Sequence, residues 1–223
     1  MSLKSQARRG FSLSKRPLFD DDRLMTKRDL AFLLAPGAGA PSSHPRMQSF
    51  TRLLSRLGSV HPFDYPYMIA GRKTPDRLPR LIEAHRAAFF ALRQIHSGPI
   101  VLAGKSMGGR VGCHVALVED VAGVVCLGYP LCGGGDPAKL RDEVLLSLST
   151  PILFVQGAKD RLCPLDLLDG VRRRMAAPTS LHVVESGDHS LLVSKTELKA
   201  RGLDQAHVDH AIYESIAAFV RQN

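Results

Sequence analysis

The sequence predicts an α/β fold with a mostly parallel central sheet of about six to seven strands and helices on both faces. Two observations predict it. From residue 30 onward the chain repeats one unit, an apolar run of about four to eight residues, a turn and a helical stretch. The apolar runs are continuous rather than alternating, as in strands covered on both faces. Strands separated by helices pair in parallel through right-handed crossovers, and such sheets bind ligands at the carboxyl ends of their strands.

In order, Leu30-Ala-Phe-Leu-Leu-Ala35 is the first strand, followed by the loop Pro36-Gly-Ala-Gly39 and a helix over 45–57 with Ser42 or Ser43 as N-cap. A shorter strand at 59–63 leads through a proline-rich connection to a long amphipathic helix over 78–96. Ile100-Val-Leu-Ala103 is a buried strand, and Arg110-Val-Gly-Cys-His-Val-Ala-Leu-Val118 carries the spacing of a helix that starts just after Ser106. Strands at 121–127, 151–155 and 180–184 follow, with helices at 165–175 and 207–221.

With 223 residues, 44% of them hydrophobic, the chain can bury one sizeable core, so residues 30–223 are expected to form one domain behind a basic, loosely ordered arm at 1–29. That arm accounts for part of the net charge of +9. Aromatic residues are only 6%, tryptophan is absent and no basic helix is interleaved with aromatics, so nucleic acid is not an expected partner. Arg8-Arg9-Gly-Phe11 resembles the start of a twin-arginine export signal, but Lys15, Arg16, Pro17 and Asp20-Asp-Asp22 stand where an apolar segment would follow. No run reaches the ~18 apolar residues of a membrane span. A cytoplasmic location is expected, with reduced, mostly buried thiols at Cys113, Cys126, Cys132 and Cys163, which show no zinc-type pairing.

Gly104-Lys-Ser106-Met-Gly108, directly after the strand at 100–103, has the G-x-S-x-G spacing that exposes a serine on a tight strand-to-helix turn. A serine hydroxyl is a poor nucleophile at neutral pH, so it needs a base within reach and donors for the developing oxyanion. The overlapping phosphate-loop pattern fails: its first glycine would fall at Pro99, and an apolar strand replaces the flexible backbone that wraps phosphates. Lys105 is then a surface-leaning side chain near the cleft mouth. If Ser106 is catalytic, its partners should follow other strands. Asp160 follows the strand at 151–155 and His189 the strand at 180–184, in the order Ser, Asp, His. Asp188, adjacent to the histidine, would struggle to reach round to its Nδ1, and Asp166 and Asp169 lie within the next helix. The backbone N–H of Met107 and, from the glycine-rich loop, that of Ala38 are the expected oxyanion donors.

With these motifs in order, residues 30–223 resemble the α/β-hydrolase superfamily, and most closely a small bacterial branch related to dienelactone hydrolases. Leu34-Ala-Pro-Gly-Ala-Gly-Ala40, Tyr65-Pro-Tyr67, Gly104-Lys-Ser-Met-Gly-Gly-Arg110, Gly128-Tyr-Pro-Leu131, Phe154-Val-Gln-Gly157 and Gly187-Asp-His-Ser190 carry the resemblance. It implies a serine esterase or thioesterase acting on a small-molecule ester, with no cofactor and no metal; the alternative is a non-catalytic binding or scaffold protein. Pro36 replaces the histidine that many relatives carry before the glycine, and room for a cap exists only in 128–150, so no separate cap domain is expected. Gly37, Tyr67, Tyr129 and Leu131, with Met107, are expected to line a shallow cleft. Dienelactone hydrolases proper use a cysteine nucleophile, so Ser106 argues against their substrate.

Overall fold

The computed structural model describes residues 30–223, so the expected arm at 1–29 lies outside the described residues. Six strands, β1 (Ala31–Ala35), β2 (Ser59–Pro62), β3 (Ile100–Lys105), β4 (Gly123–Leu127), β5 (Ile152–Gly157) and β6 (Thr179–Val184), form one sheet in the order β2-β1-β3-β4-β5-β6. Every neighbouring pair is parallel. β1 and β4 throughout, β3 up to Gly104 and β5 up to Val155 are runs of apolar residues buried on both faces, which is why continuous hydrophobicity marks them in the sequence.

The pleat sorts these runs into two cores. Ala31, Leu33, Leu102 and Phe154 face helices α3 (Leu78–Ile95), α4 (Met107–Val115) and α6 (Leu165–Arg172), which contribute Phe89, Leu92, Cys113 and Leu168. Phe32, Leu34, Val101 and Val155 face α1 (Pro45–Leu54) and α8 (Gln205–Gln222), which contribute Phe50, Leu54, Ile212, Ile216 and Phe219. The first crossover, from β1 to β2, uses one face; the next passes over the other face to β3. The strand order therefore reverses between β1 and β3, and a crevice opens at their carboxyl ends.

Three short helices have no counterpart in the sequence reading: α2 (Pro66–Ile69), α5 (Glu143–Leu146) and α7 (Lys195–Ala200). In α7 only Leu198 is buried, too little to leave a helical period. The cap of α1 also differs. His44 takes that position, its Nδ1 accepting from the Arg46 N–H at 3.2 Å, because Ser42 is turned toward Asp64, donating both its N–H (2.6 Å) and its hydroxyl (3.1 Å) to that carboxylate. Residues 128–150 form no separate cap; they hold one turn of 3-10 helix, an isolated bridge between Cys132 and Leu140, and α5. All four cysteines are free and buried. Among the described residues no helix is long and apolar enough to cross a membrane.

Candidate active site

The β3 to α4 turn places Ser106 at φ 51°, ψ −115°, a left-handed backbone that a side-chain-bearing residue seldom adopts. The glycines beside it make the turn feasible. A Cβ at Gly104 would stand 2.3 Å from the Gly108 carbonyl carbon, and one at Gly108 would stand 2.5 Å from the Ala35 carbonyl oxygen. The second glycine therefore serves contact with β1 as well as the turn. The Ser106 N–H donates to the Leu127 carbonyl at 3.1 Å, which ties the turn to β4.

His189 arrives on the loop after β6 with Nε2 2.8 Å from Ser106 Oγ and Nδ1 2.7 Å from Asp160 Oδ2. A carboxylate can only accept, so Nδ1 carries the proton, and Nε2 presents a lone pair to the serine hydroxyl. The Asp160 side chain is fully buried. Both of its oxygens are engaged: Oδ2 also accepts from Gln156 Nε2, and Oδ1 accepts from the Leu162 N–H at 2.9 Å. Gln156 is the residue that sequence reasoning missed. Its Oε1 accepts from the Tyr129 N–H at 2.9 Å, so one buried amide couples the loop after β4 to the acid after β5. The only trace in the sequence is a polar residue inside the apolar run Ile152-Leu-Phe-Val-Gln156.

The other candidate carboxylates make no hydrogen bond to His189. Asp188 Oδ1 accepts from the Ser190 and Leu192 N–H groups at 2.7 and 3.0 Å, closing the turn that carries His189. Asp166 is exposed on α6, and Asp169 pairs with Arg172. Arg46 of α1 pins the same turn from outside: Nε and Nη2 donate to the Ser190 and Leu191 carbonyls at 3.0 and 3.1 Å, while Nη1 grips both Asp209 oxygens.

A cavity of about 320 Å³ opens over Ser106 and His189, walled by the 37–40 loop, His44, Arg46, Met47, Lys105 and Ser190. Gly37 lines it as expected, and Ala38 does too. The backbone N–H groups of Ala38 and Met107 donate to no backbone or side-chain acceptor among the described residues. The rest of the expected wall is corrected. Tyr129 and Leu131 are fully buried in the core below β4 and β5, where Tyr129 packs edge-to-face on Phe154 and donates its hydroxyl to the Arg141 carbonyl. Met107 is turned into a small cluster with Tyr65, Tyr67 and Val111. Tyr67 is buried as well, and its hydroxyl donates to the Ala38 carbonyl at 3.0 Å, bracing the glycine loop from behind. Burial, and to a lesser extent Asp76 and Asp64, pushes that phenol up to about 12, so it remains a donor at neutral pH. Arg72 pairs with the Asp76 carboxylate at 2.9 Å.

Lys105 is not the surface-leaning residue expected. Burial draws its ammonium down to about 8, against the opposing pull of Asp160 and Asp188, with Arg46 adding to the lowering. A base whose folded value lies below its unfolded one costs stability below the folded value, and that cost fades as pH rises toward the unfolded 10.5. Lys105→Met is accordingly expected to raise stability at pH 7 by about 1–3 kcal/mol, with the gap over the wild type narrowing between pH 8 and 10.5; thermal melts across that range check it.

Residues 28–221 match the family described as alpha/beta hydrolase domain. Among curated proteins, the chain is 30% identical over 105 residues to protein sumv-2 of Caenorhabditis elegans, a match covering 47% of this chain and 9% of that protein. The match thus spans less than a tenth of the length of this relative. Among solved structures, an alpha-beta serine hydrolase homologue from Coxiella burnetii superposes with a TM-score of 0.65 at 18% identity, over 86% of this chain and 84% of the other. Est1E from Butyrivibrio proteoclasticus, bound to ferulic acid, gives 0.60 at 14% over 87% and 92%. A dienelactone hydrolase from Anabaena variabilis gives 0.64 at 17% over 87% and 88%. At these identities the likeness is one of fold.

Proposed function

Since the chain belongs to the alpha/beta hydrolase domain family, we propose that it is a serine hydrolase cleaving small carboxylic esters or thioesters through an acyl-enzyme on Ser106. The observation that carries this reading is the unbroken hydrogen-bonded line from Ser106 Oγ through His189 to Asp160, ending in a buried carboxylate with both oxygens engaged. His189 Nε2 takes the serine proton as Oγ attacks the carbonyl carbon. Asp160 holds the imidazole in the required tautomer and stabilises the imidazolium. The free N–H groups of Ala38 and Met107 receive the oxyanion. His189 then protonates the leaving group, and water, activated by the same imidazole, releases the acid. None of these steps calls for a cofactor or metal.

A cavity of about 320 Å³ that reaches Ser106 fits a short acyl chain, and it leaves the nucleophile accessible, which speaks against the scaffold reading. Free buried thiols agree with the cytoplasmic location proposed with it. A series of nitrophenyl esters from acetate to laurate tests the reading. kcat/KM is expected to be highest for the shortest chains and to fall by about tenfold or more toward laurate; a rate that climbs with chain length would contradict the short-acyl pocket.

A further inference from the structure

The cavity wall carries three basic side chains besides His189, namely His44, Arg46 and Lys105, and no carboxylate. The charge of Arg46 is matched by Asp209, whose two oxygens it grips at 2.8 and 2.9 Å. His44 uses its Nδ1 to cap α1. Lys105 is different. Its stem lies across the glycine loop, with Cγ 3.5 Å from where a Gly37 side chain would begin, and its Nζ comes 3.4 Å from the corresponding point on Gly128, beside His189. Of the acids whose charge it feels, Asp160 spends both oxygens on His189, Gln156 and the Leu162 N–H, and Asp188 spends Oδ1 on the Ser190 and Leu192 N–H groups; neither forms an ion pair with Lys105. No hydrogen bond or ion pair engages the Lys105 ammonium among the described residues. A largely buried cation without a counterion is costly, and a site that keeps one next to its nucleophile is built to receive an anion.

We propose that Lys105 is the receptor for a carboxylate on the substrate, so that this site takes half-esters of short dicarboxylic acids in preference to neutral esters. The inference rests on the serine hydrolase reading and names its substrate class. A carboxylate carried a few atoms from the scissile carbonyl supplies the missing counterion as the ester enters, and Arg46, already neutralised, guides it only through its residual field. The charged and titratable groups that face Lys105 are Arg46 from α1 with His44 at its N-cap, Asp160 from the loop after β5, and Asp188 and His189 from the turn after β6. Loss of the lysine proton removes the attraction, so the preference should fade as pH rises through about 8.

The test compares nitrophenyl hemiglutarate with nitrophenyl valerate, which has the same acyl length and no charge, in the wild type and in Lys105→Met. The readout is the ratio of the two kcat/KM values. At pH 7 that ratio is expected to be at least about tenfold higher in the wild type than in the variant, and to fall above pH 8 in the wild type alone. An equal ratio in both proteins, or one that ignores pH while valerate is still cleaved, would overturn the anion receptor and leave the hydrolase standing. Protection of Ser106 from a fluorophosphonate by glutarate over neutral glutaramide reads the same preference without turnover. Absence of any Ser106 labelling in folded protein would remove the hydrolase reading and this inference together.

Discussion

Ser106→Ala is expected to lower nitrophenyl ester turnover by about 10⁵-fold or more and to leave the fold unchanged. The loss follows from the chemistry: among the described residues, Ser106 is the one hydroxyl hydrogen-bonded to His189 Nε2. Removing the nucleophile leaves only the oxyanion donors and substrate positioning, which act on attack by water at a small residual rate. Alanine keeps the Cβ, so the turn at φ 51° is no more strained than before. The lost Oγ contact is half-exposed and neutral, so thermal melts should agree within about 0.5 kcal/mol. Ester cleavage in Ser106→Ala at the wild-type rate would place the chemistry elsewhere.

Asp160→Asn is expected to reduce kcat by about 10³–10⁴-fold and, unlike Ser106→Ala, to destabilise the protein by about 1–3 kcal/mol. Three donors converge on this carboxylate, from His189, Gln156 and the Leu162 N–H. An asparagine offers one acceptor and one donor in the same space. If its oxygen stays on Leu162, its amide nitrogen faces Gln156 Nε2, a clash of two donors in a fully buried site. That nitrogen also forces His189 to accept at Nδ1, so that Nε2 carries the proton and points it at Ser106 Oγ, the wrong tautomer for a base. Asp188→Asn is the control. Its oxygen keeps both turn N–H groups, and its effect on kcat should stay within about threefold.

The strands were legible in the sequence because β1, β3, β4 and β5 are buried on both faces, which leaves uninterrupted apolar runs, and because a parallel sheet places loop chemistry at one end of those runs. Ser106, Asp160 and His189 could therefore be paired by position alone, and the three side chains meet in the structure. What the sequence hid depends on packing between distant segments. Tyr129 and Leu131 follow a strand end, as a cleft residue would, yet the chain turns at Gly128 and drives both inward against Phe154. Gln156 reads as the polar edge of an apolar strand until the loop after β4 is laid beside it. Arg46, on an amphipathic helix, looks like a solvent-facing charge; its partners Ser190 and Asp209 lie 144 and 163 residues away. Lys105 reads as the polar end of β3, and only the glycine loop at Gly37 and the turn at Gly128, laid against its side chain, enclose it.

Activation of Ser106 by His189 is read by covalent labelling with a fluorophosphonate, located by peptide mass spectrometry in the wild type and in His189→Ala. A single adduct on Ser106 is expected in the wild type, with a labelling rate at least about 10³-fold lower in the variant. A folded wild-type protein that takes no label, or an adduct that forms equally fast without the imidazole, would contradict it.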